Sequence, residues 1–209
     1  MYRFLIVDDH AIVRKGLLQL IKEEFPNAYC CEAADGHTVI KKVREEKWNI
    51  ILLDISMPER SGMEVLWQLK SEGNSTPVLM LSIHPEEQYA LRVFKAGASG
   101  FLTKASANDE LIKAVHQLLL GKKYISQEAA DILVSTSSKD NKKELYENLS
   151  NREMEVLLLI ASGKTLSEIA DELSLSINTI STYRSRILEK LGLNNNAELM
   201  RYAIDNQLA

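Results

Sequence analysis

The chain has 209 residues, 45% hydrophobic and 26% charged, an ordinary globular composition with enough apolar material for one large core or two modest ones. A net charge of −4 excludes nucleic-acid binding by bulk electrostatics alone, so any such binding must rest on local charge and motif. No apolar run approaches the roughly 18–20 residues that span a bilayer, and Asp8-Asp9 cuts short the apolar N-terminus that a signal peptide would need; a cytoplasmic protein with no membrane partner is expected.

Residues 3–8 form an apolar strand that ends in acids. Residues 11–24 carry Val13, Leu17, Leu18, Leu20 and Ile21 at helical spacing. A short strand over 28–33 follows, then a helix over 37–46 with Val39, Ile40 and Val43 on one side. Residues 49–54 contain the unbroken run Ile50-Ile51-Leu52-Leu53, as in a strand buried on both faces of a parallel sheet. Met57-Pro58 and Gly62 mark a loop before a helix over 63–71. A strand over 77–82, a helix over 86–96 closed by Gly97, a strand over 99–103 and an amphipathic helix over 107–120 closed by Gly121 complete the series. Five strands alternating with five helices predict a doubly wound α/β domain over residues 1–121. Cys30 and Cys31, adjacent on a strand, point to opposite faces and read as two small apolar residues rather than a metal or disulfide pair.

Residues 122–147 change character. The stretch from Ser135 to Lys143 is polar and aperiodic, which predicts an interdomain linker, although residues 126–134 could extend the preceding helix. Residues 148–209 read as an all-α domain of four helices. Ser150-Asn151-Arg152-Glu153 is a capping box, with Leu149 and Met154 placed for a hydrophobic staple. Thr165-Leu166-Ser167-Glu168 opens a second, short helix. Ser176 caps a third over 177–191, stopped by Gly192, and a fourth covers 196–206. Two helices joined by a tight Ser174-Leu175 turn predict helix-turn-helix geometry.

Acidic and polar groups sit at strand ends: Asp8-Asp9 after the first strand, Asp54 after the third, Ser82 after the fourth and Lys104 after the fifth. Ligands bind at the C-terminal strand edge of an open α/β sheet, so these side chains should converge there. Three close carboxylates repel one another and call for a cation; hard, oxygen-ligated Mg²⁺ fits. Asp54 can then act as a carboxylate nucleophile on a phosphoryl group, with Lys104 and the Ser82 hydroxyl pairing phosphoryl oxygens.

The stretches LIVDDH, ILLDISMPERSGMEVL, VLMLS and AGASGFLTK make residues 1–121 resemble a bacterial response-regulator receiver domain, a flavodoxin-like fold. The resemblance implies that Asp54 is the phosphoacceptor and that Asp8 and Asp9 are the acidic metal pair, Asp9 touching the metal directly. It implies further that Asp54 and the backbone carbonyl of Ser56 complete the protein ligands. Ser82 and Lys104 take the switch-hydroxyl and phosphate-pairing positions, and Phe101 takes the aromatic switch position. Ala105 stands where many receivers carry proline, which leaves open the geometry of the 104–105 peptide bond.

Residues 148–209 resemble a LuxR-type helix-turn-helix through LSNREMEVLLLIASGK, LSEIADELSLSINTIS and ILEKLGL, and the whole chain resembles the NarL/FixJ group. In the third helix Ile180, Ile187, Leu188 and Leu191 should pack inward. Asn178, Thr179, Ser181, Thr182, Tyr183, Arg184 and Arg186 are the expected DNA contacts. Arg184 is expected at the groove, on one face with Asn178 and Ser181, and Arg186 toward a phosphate or an intradomain acid. Ser181 and Tyr183 depart from the Lys and His of many family members, which bears on base preference.

The implied function is transcription regulation: a histidine kinase phosphorylates Asp54, the receiver forms a homodimer, and paired helix-turn-helix units bind double-stranded DNA. The alternatives are an aspartyl-phosphate phosphohydrolase using the same Asp54, in which His84 could at most tune dephosphorylation, and a DNA binder whose receiver is not phosphorylated.

Overall fold

The structure is a computed structural model, and it describes residues 1–83, 85–126, 128–131, 145–206 and 208. His84 and the core of the expected linker lie outside the described residues. The chain divides into two compact units, Met1–Ser138 and Lys139–Ala209.

In the first unit β1 (Arg3–Val7), β2 (Tyr29–Ala33), β3 (Ile50–Asp54), β4 (Val78–Ser82) and β5 (Gly100–Thr103) form one parallel sheet in the order β2-β1-β3-β4-β5. Between them run α1 (Ala11–Glu24), α2 (Gly36–Glu45), α3 (Gly62–Ser71) and α4 (Glu86–Lys95), and α5 (Ala107–Leu119) follows β5. All five helices and all five strands lie within a residue or two of their expected places. β3 and β4 are buried at every residue, as their unbroken apolar runs require. Phe4, Ile6, Ile50, Leu52, Leu79 and Leu81 alternate along three strands and meet Leu17 and Ile21 of α1 and Leu111, Val115 and Leu118 of α5. Full burial of each such side chain is worth about 1.5–3 kcal/mol, so this face holds the sheet and sets its register.

Strand order reverses at β1 and β3, so the loops after these two strands diverge and leave a crevice at their C-terminal ends. The β3–α3 loop is held tightly over it. The Gly62 amide donates to the Ile55 carbonyl at 2.9 Å, and a Cβ on Gly62 would lie 1.9 Å from the Asp54 carbonyl oxygen. Ser61 and Glu64 close a capping box at the start of α3, which the turn signals of Pro58 and Gly62 concealed in the sequence.

The compact packing of this unit runs past Gly121. Tyr124 is 2% exposed within the α1–α5 core, its amide bonds the Ser99 carbonyl at 2.9 Å, and it bridges Gly100. Residues 128–131 are helical. The segment 122–147 is therefore not one uniform linker: an aromatic side chain with a sheet-edge bond anchors its start, and the 3₁₀ turn Leu145–Asn148 sits at its end.

The second unit holds α6 (Asn151–Ala161), α7 (Leu166–Glu172), α8 (Ile177–Leu191) and α9 (Asn196–Asp205). The Ser150/Glu153 and Thr165/Glu168 capping boxes both form, and Leu149 and Met154 are buried as the staple requires. Ser176 accepts from the Thr179 amide, and Gly192 ends α8 in the left-handed region at φ 67°. Val156, Leu157 and Ile160 of α6, Ile169 of α7, Ile180, Ile187 and Leu191 of α8 and Leu199 of α9 make an independent core.

Candidate functional site

Three strand ends and one loop build a pocket at the β1/β3 crevice. Asp8 follows β1, Asp54 ends β3, and both are fully buried. Lys104 follows β5 and returns across β4: its amide donates to the Ser82 carbonyl at 2.6 Å. Its ammonium lies 2.8 Å from Asp8 Oδ2 and 2.9 Å from Asp54 Oδ2. The structure thus joins Asp8, Asp54 and Lys104 as expected. Ser82, also fully buried, is the residue after Leu81, the β4 partner of Asp54. Phe101 is buried on β5 opposite Met80. The Ser56 amide donates to Asp54 Oδ1 at 3.3 Å, folding the loop back over the carboxylate. The 104–105 bond is trans, so Ala105 carries no cis-peptide cost.

Burial raises the Asp54 carboxyl to about 7; Lys104 counteracts this, and the neighbouring Asp8 adds to it. Burial alone would lower the Lys104 ammonium, but Asp54 and Asp8 outweigh it and hold Lys104 above the ordinary lysine value. The pocket therefore stores unfavourable negative charge that one lysine only partly offsets.

Two supporting residues escaped the sequence reading. The His10 amide donates to Asp8 Oδ1 at 2.8 Å, and its Nδ1 lies 2.8 Å from Asp9 Oδ1. Arg14, one turn into α1, donates to the backbone carbonyls of Asp8 and Asp9 and fixes the turn that carries both acids. A basic residue one helical turn past a paired acid at a helix start was the available signal.

Asp8, Asp9, His10 and Asp54 offer ligand atoms that all lie within 4.8 Å of one another. Asp8 Oδ2, Asp9 Oδ1 and Asp54 Oδ2 are buried; the first and last lie beside the Lys104 ammonium and the second beside the His10 ring, and none has a well-angled hydrogen bond. Buried carboxylate oxygens with unused lone pairs fit a hard divalent cation.

In the second unit, α8 exposes Ile177, Asn178, Ser181, Thr182, Ser185 and Arg186. Thr182 and Ser185 donate their hydroxyl protons back to the carbonyls of Asn178 and Ser181. Thr179 and Tyr183 are half-buried at the margin of this face. Arg184 does not take its expected place on the exposed face of α8. Arg184 stands four residues from Ile180 and three from Ile187, both fully buried, so it shares the core side of the helix; it is half-buried and bonds Asn196 on α9. Arg186 stands four residues from exposed Thr182 and eight from exposed Asn178 and points to solvent. Lys190 is committed to Glu153 at 2.6 Å, tying the end of α8 to the cap of α6.

A parallel sheet with this acid–lysine pocket, followed by a capped helix-turn-helix unit, defines the response-regulator class of two-component signalling. Residues 4–116 match the response regulator receiver domain, and residues 147–203 match the bacterial regulatory proteins of the luxR family. The chain is 31% identical to the response regulator UvrY of Escherichia coli over 209 residues, covering 100% of this chain and 96% of that one. It is 32% identical to the oxygen regulatory protein NreC of Staphylococcus aureus over 213 residues, covering 99% and 98%. A solved structure of RcsB from Salmonella enterica serovar Typhimurium, bound to promoter DNA in the presence of phosphomimetic BeF3−, superposes with a TM-score of 0.59 at 27% identity, covering 96% and 97%. The chain belongs to the NarL/FixJ-type response regulators, which join a receiver domain to a LuxR-type DNA-binding domain.

Proposed function

We propose that Asp54 is the phosphoacceptor through which a cognate histidine kinase controls DNA binding by this regulator. The observation that carries the reading is the buried Asp54 carboxylate held between Asp8 and the Lys104 ammonium at the sheet's switch point. An Asp54 oxygen attacks the phosphorus of the kinase phosphohistidine. The P–N bond breaks, its electron pair stays on the imidazole nitrogen, and an acyl phosphate forms. Asp8, Asp9, Asp54 and the Ser56 carbonyl would hold Mg²⁺, which when bound supplies charge neutralisation to the phosphoryl oxygens. Lys104, already 2.9 Å from Asp54, transfers its pairing to one phosphoryl oxygen, and the Ser82 hydroxyl donates to another. Phe101, on the strand beside Ser82 and in an element that packs on α4, couples that movement to the α4 side of the receiver.

The new charge then favours a homodimer, and paired helix-turn-helix units place two α8 helices in successive major grooves. Asn178, Ser181 and Thr182 form the groove-facing set, with Thr179 and Tyr183 at its edge and exposed Arg186 reaching a flanking phosphate; Arg184 positions α8 against α9. RcsB bound to promoter DNA in the presence of a phosphomimetic supports this coupling. A kinase donor and a chromosomal target imply a cytoplasmic protein. The same Asp54 chemistry would serve a phosphohydrolase, but the helix-turn-helix unit and relatives named as regulators favour regulation.

The test uses the full chain with a small-molecule phosphodonor and Mg²⁺, and DNA fragments selected by binding from genomic DNA. Phosphorylated wild type should sediment as a dimer and bind the selected DNA more tightly, while Asp54→Asn shows neither change. Equal responses from both proteins would remove Asp54 from the control path.

A further inference from the structure

A cleft of about 400 Å³ opens between α2 and α3, away from the acidic pocket, in the size range of small-ligand sites. Its lining is cationic within a domain whose residues 1–121 carry 14 Lys/Arg against 16 Asp/Glu. His37, Lys41 and Arg44 lie at i, i+4 and i+7 on one face of α2, and Arg60 meets them from the β3–α3 loop. The anionic side chains nearby are few and already shared. Glu45 stands 4.0 Å from Lys41 in an exposed pair worth little. Glu72 accepts from both Arg44 and Gln68 at 2.6 Å. Arg60 donates to Gln68, a neutral partner. Three full positive charges and an imidazole therefore face one cleft that holds a single carboxylate in its lining, while Glu72 partly balances Arg44 and Arg60 and Asp35 lies beside His37.

We propose that this cleft binds a small polyanion of the oligophosphate class, either inorganic pyrophosphate or the phosphate chain of a nucleoside triphosphate. Two arginine forks and a lysine point charge suit several phosphate oxygens at once, with Gln68 as a neutral donor. The site is also mechanically tied to the acidic pocket. Arg60 is two residues before Gly62, whose amide bonds Ile55, and its Cβ is 3.1 Å from where a Cβ on Gly36 would lie. An anion held by Arg60 would therefore restrain the same loop that covers Asp54.

The test is calorimetric titration of the full-length protein in EDTA with inorganic pyrophosphate, and separately with ATP. One site per chain is expected, with affinity that falls as salt rises. Lys41→Gln and Arg60→Gln should each weaken binding about tenfold. Lys41 is exposed, so its substitution leaves the fold intact and keeps the result interpretable. Equal affinity for both probes assigns recognition to the phosphate chain, and tighter ATP binding adds a base contact to the same site. Arg186→Gln and Asp54→Ala should leave binding unchanged; loss in the first would put the anion on α8, and loss in the second would put it in the acidic pocket. Either loss, absence of heat at millimolar pyrophosphate, or full affinity in both cleft variants overturns the proposal.

Discussion

Replacing Asp54 by Asn should stabilise the metal-free receiver unit at neutral pH, and the gain should vanish in acid. Burial raises the Asp54 carboxyl from 3.8 to about 7. A displacement of about three units at 1.36 kcal/mol each makes the ionised carboxylate cost the fold about 4 kcal/mol. The amide also removes one partner of Lys104, although Asp8 keeps the ammonium paired at 2.8 Å, so the net gain should be about 2–3 kcal/mol. The sign follows from proton binding: the folded carboxyl keeps its proton to higher pH than the unfolded one. Its contribution to stability is complete below about pH 4, is lost as pH rises toward 7, and is constant above. The variant has no such loss. Urea unfolding in EDTA between pH 4 and 8 measures the difference, and fluorescence isolates the first unit because both tryptophans, Trp48 and Trp67, belong to it. Saturating Mg²⁺ should narrow the gap by stabilising the wild type more than the variant, which lacks one carboxylate ligand. A variant that is less stable at pH 8, or a difference that does not change with pH, would refute the burial-and-repulsion account of the pocket.

Gly62→Ala places a Cβ 1.9 Å from the Asp54 carbonyl oxygen, so it should cost about 1–3 kcal/mol of receiver stability and slow phosphorylation by displacing the loop; wild-type thermal unfolding and phosphate uptake would contradict the close-approach reading. Arg186→Ala should weaken binding to specific and scrambled DNA alike and reduce the salt slope by about one unit, as loss of a phosphate contact does. Arg184→Ala should instead lower the melting temperature of the second unit through the lost Asn196 bond, with DNA affinity falling only in step; selective loss of one base preference in that variant would return Arg184 to the groove. A fragment spanning 145–209 should be helical by circular dichroism without the receiver, given its capped helices and separate core; an unfolded fragment would show that the helices need the first unit.

Much of this was legible in the sequence, for specific reasons. β3 and β4 are buried on both faces, so Ile50-Ile51-Leu52-Leu53 and Val78-Leu79-Met80-Leu81 could hardly be anything but inner strands. Ser150, Thr165 and Ser176 announce helix starts because their side chains answer orphan amides locally, and Gly192 announces a stop because α8 ends in a left-handed residue. The site was legible as a set of strand ends, since sheet order alone brings Asp8, Asp54 and Lys104 together. What stayed hidden depends on tertiary placement. Tyr124 looked like linker because its partners, Ser99 and Gly100, lie on a sheet edge more than 20 residues earlier. The i−3 and i−6 neighbours, Ser181 and Asn178, make Arg184 read as groove-facing in the sequence. Its true side is set by buried Ile180 and Ile187, four residues before it and three after. The basic cleft between α2 and α3 was invisible because Arg60 joins it from a loop that reads as a turn.

The most direct measurement is the intact mass of the full chain after incubation with a small-molecule phosphodonor, in Mg²⁺ and in excess EDTA, for wild type and Asp54→Asn. Wild type in Mg²⁺ should gain the mass of one phosphoryl group that is lost in base, as an acyl phosphate is, while the variant and the EDTA sample gain none. The same gain in Asp54→Asn, or full incorporation in EDTA, would contradict a metal-supported Asp54 phosphoacceptor.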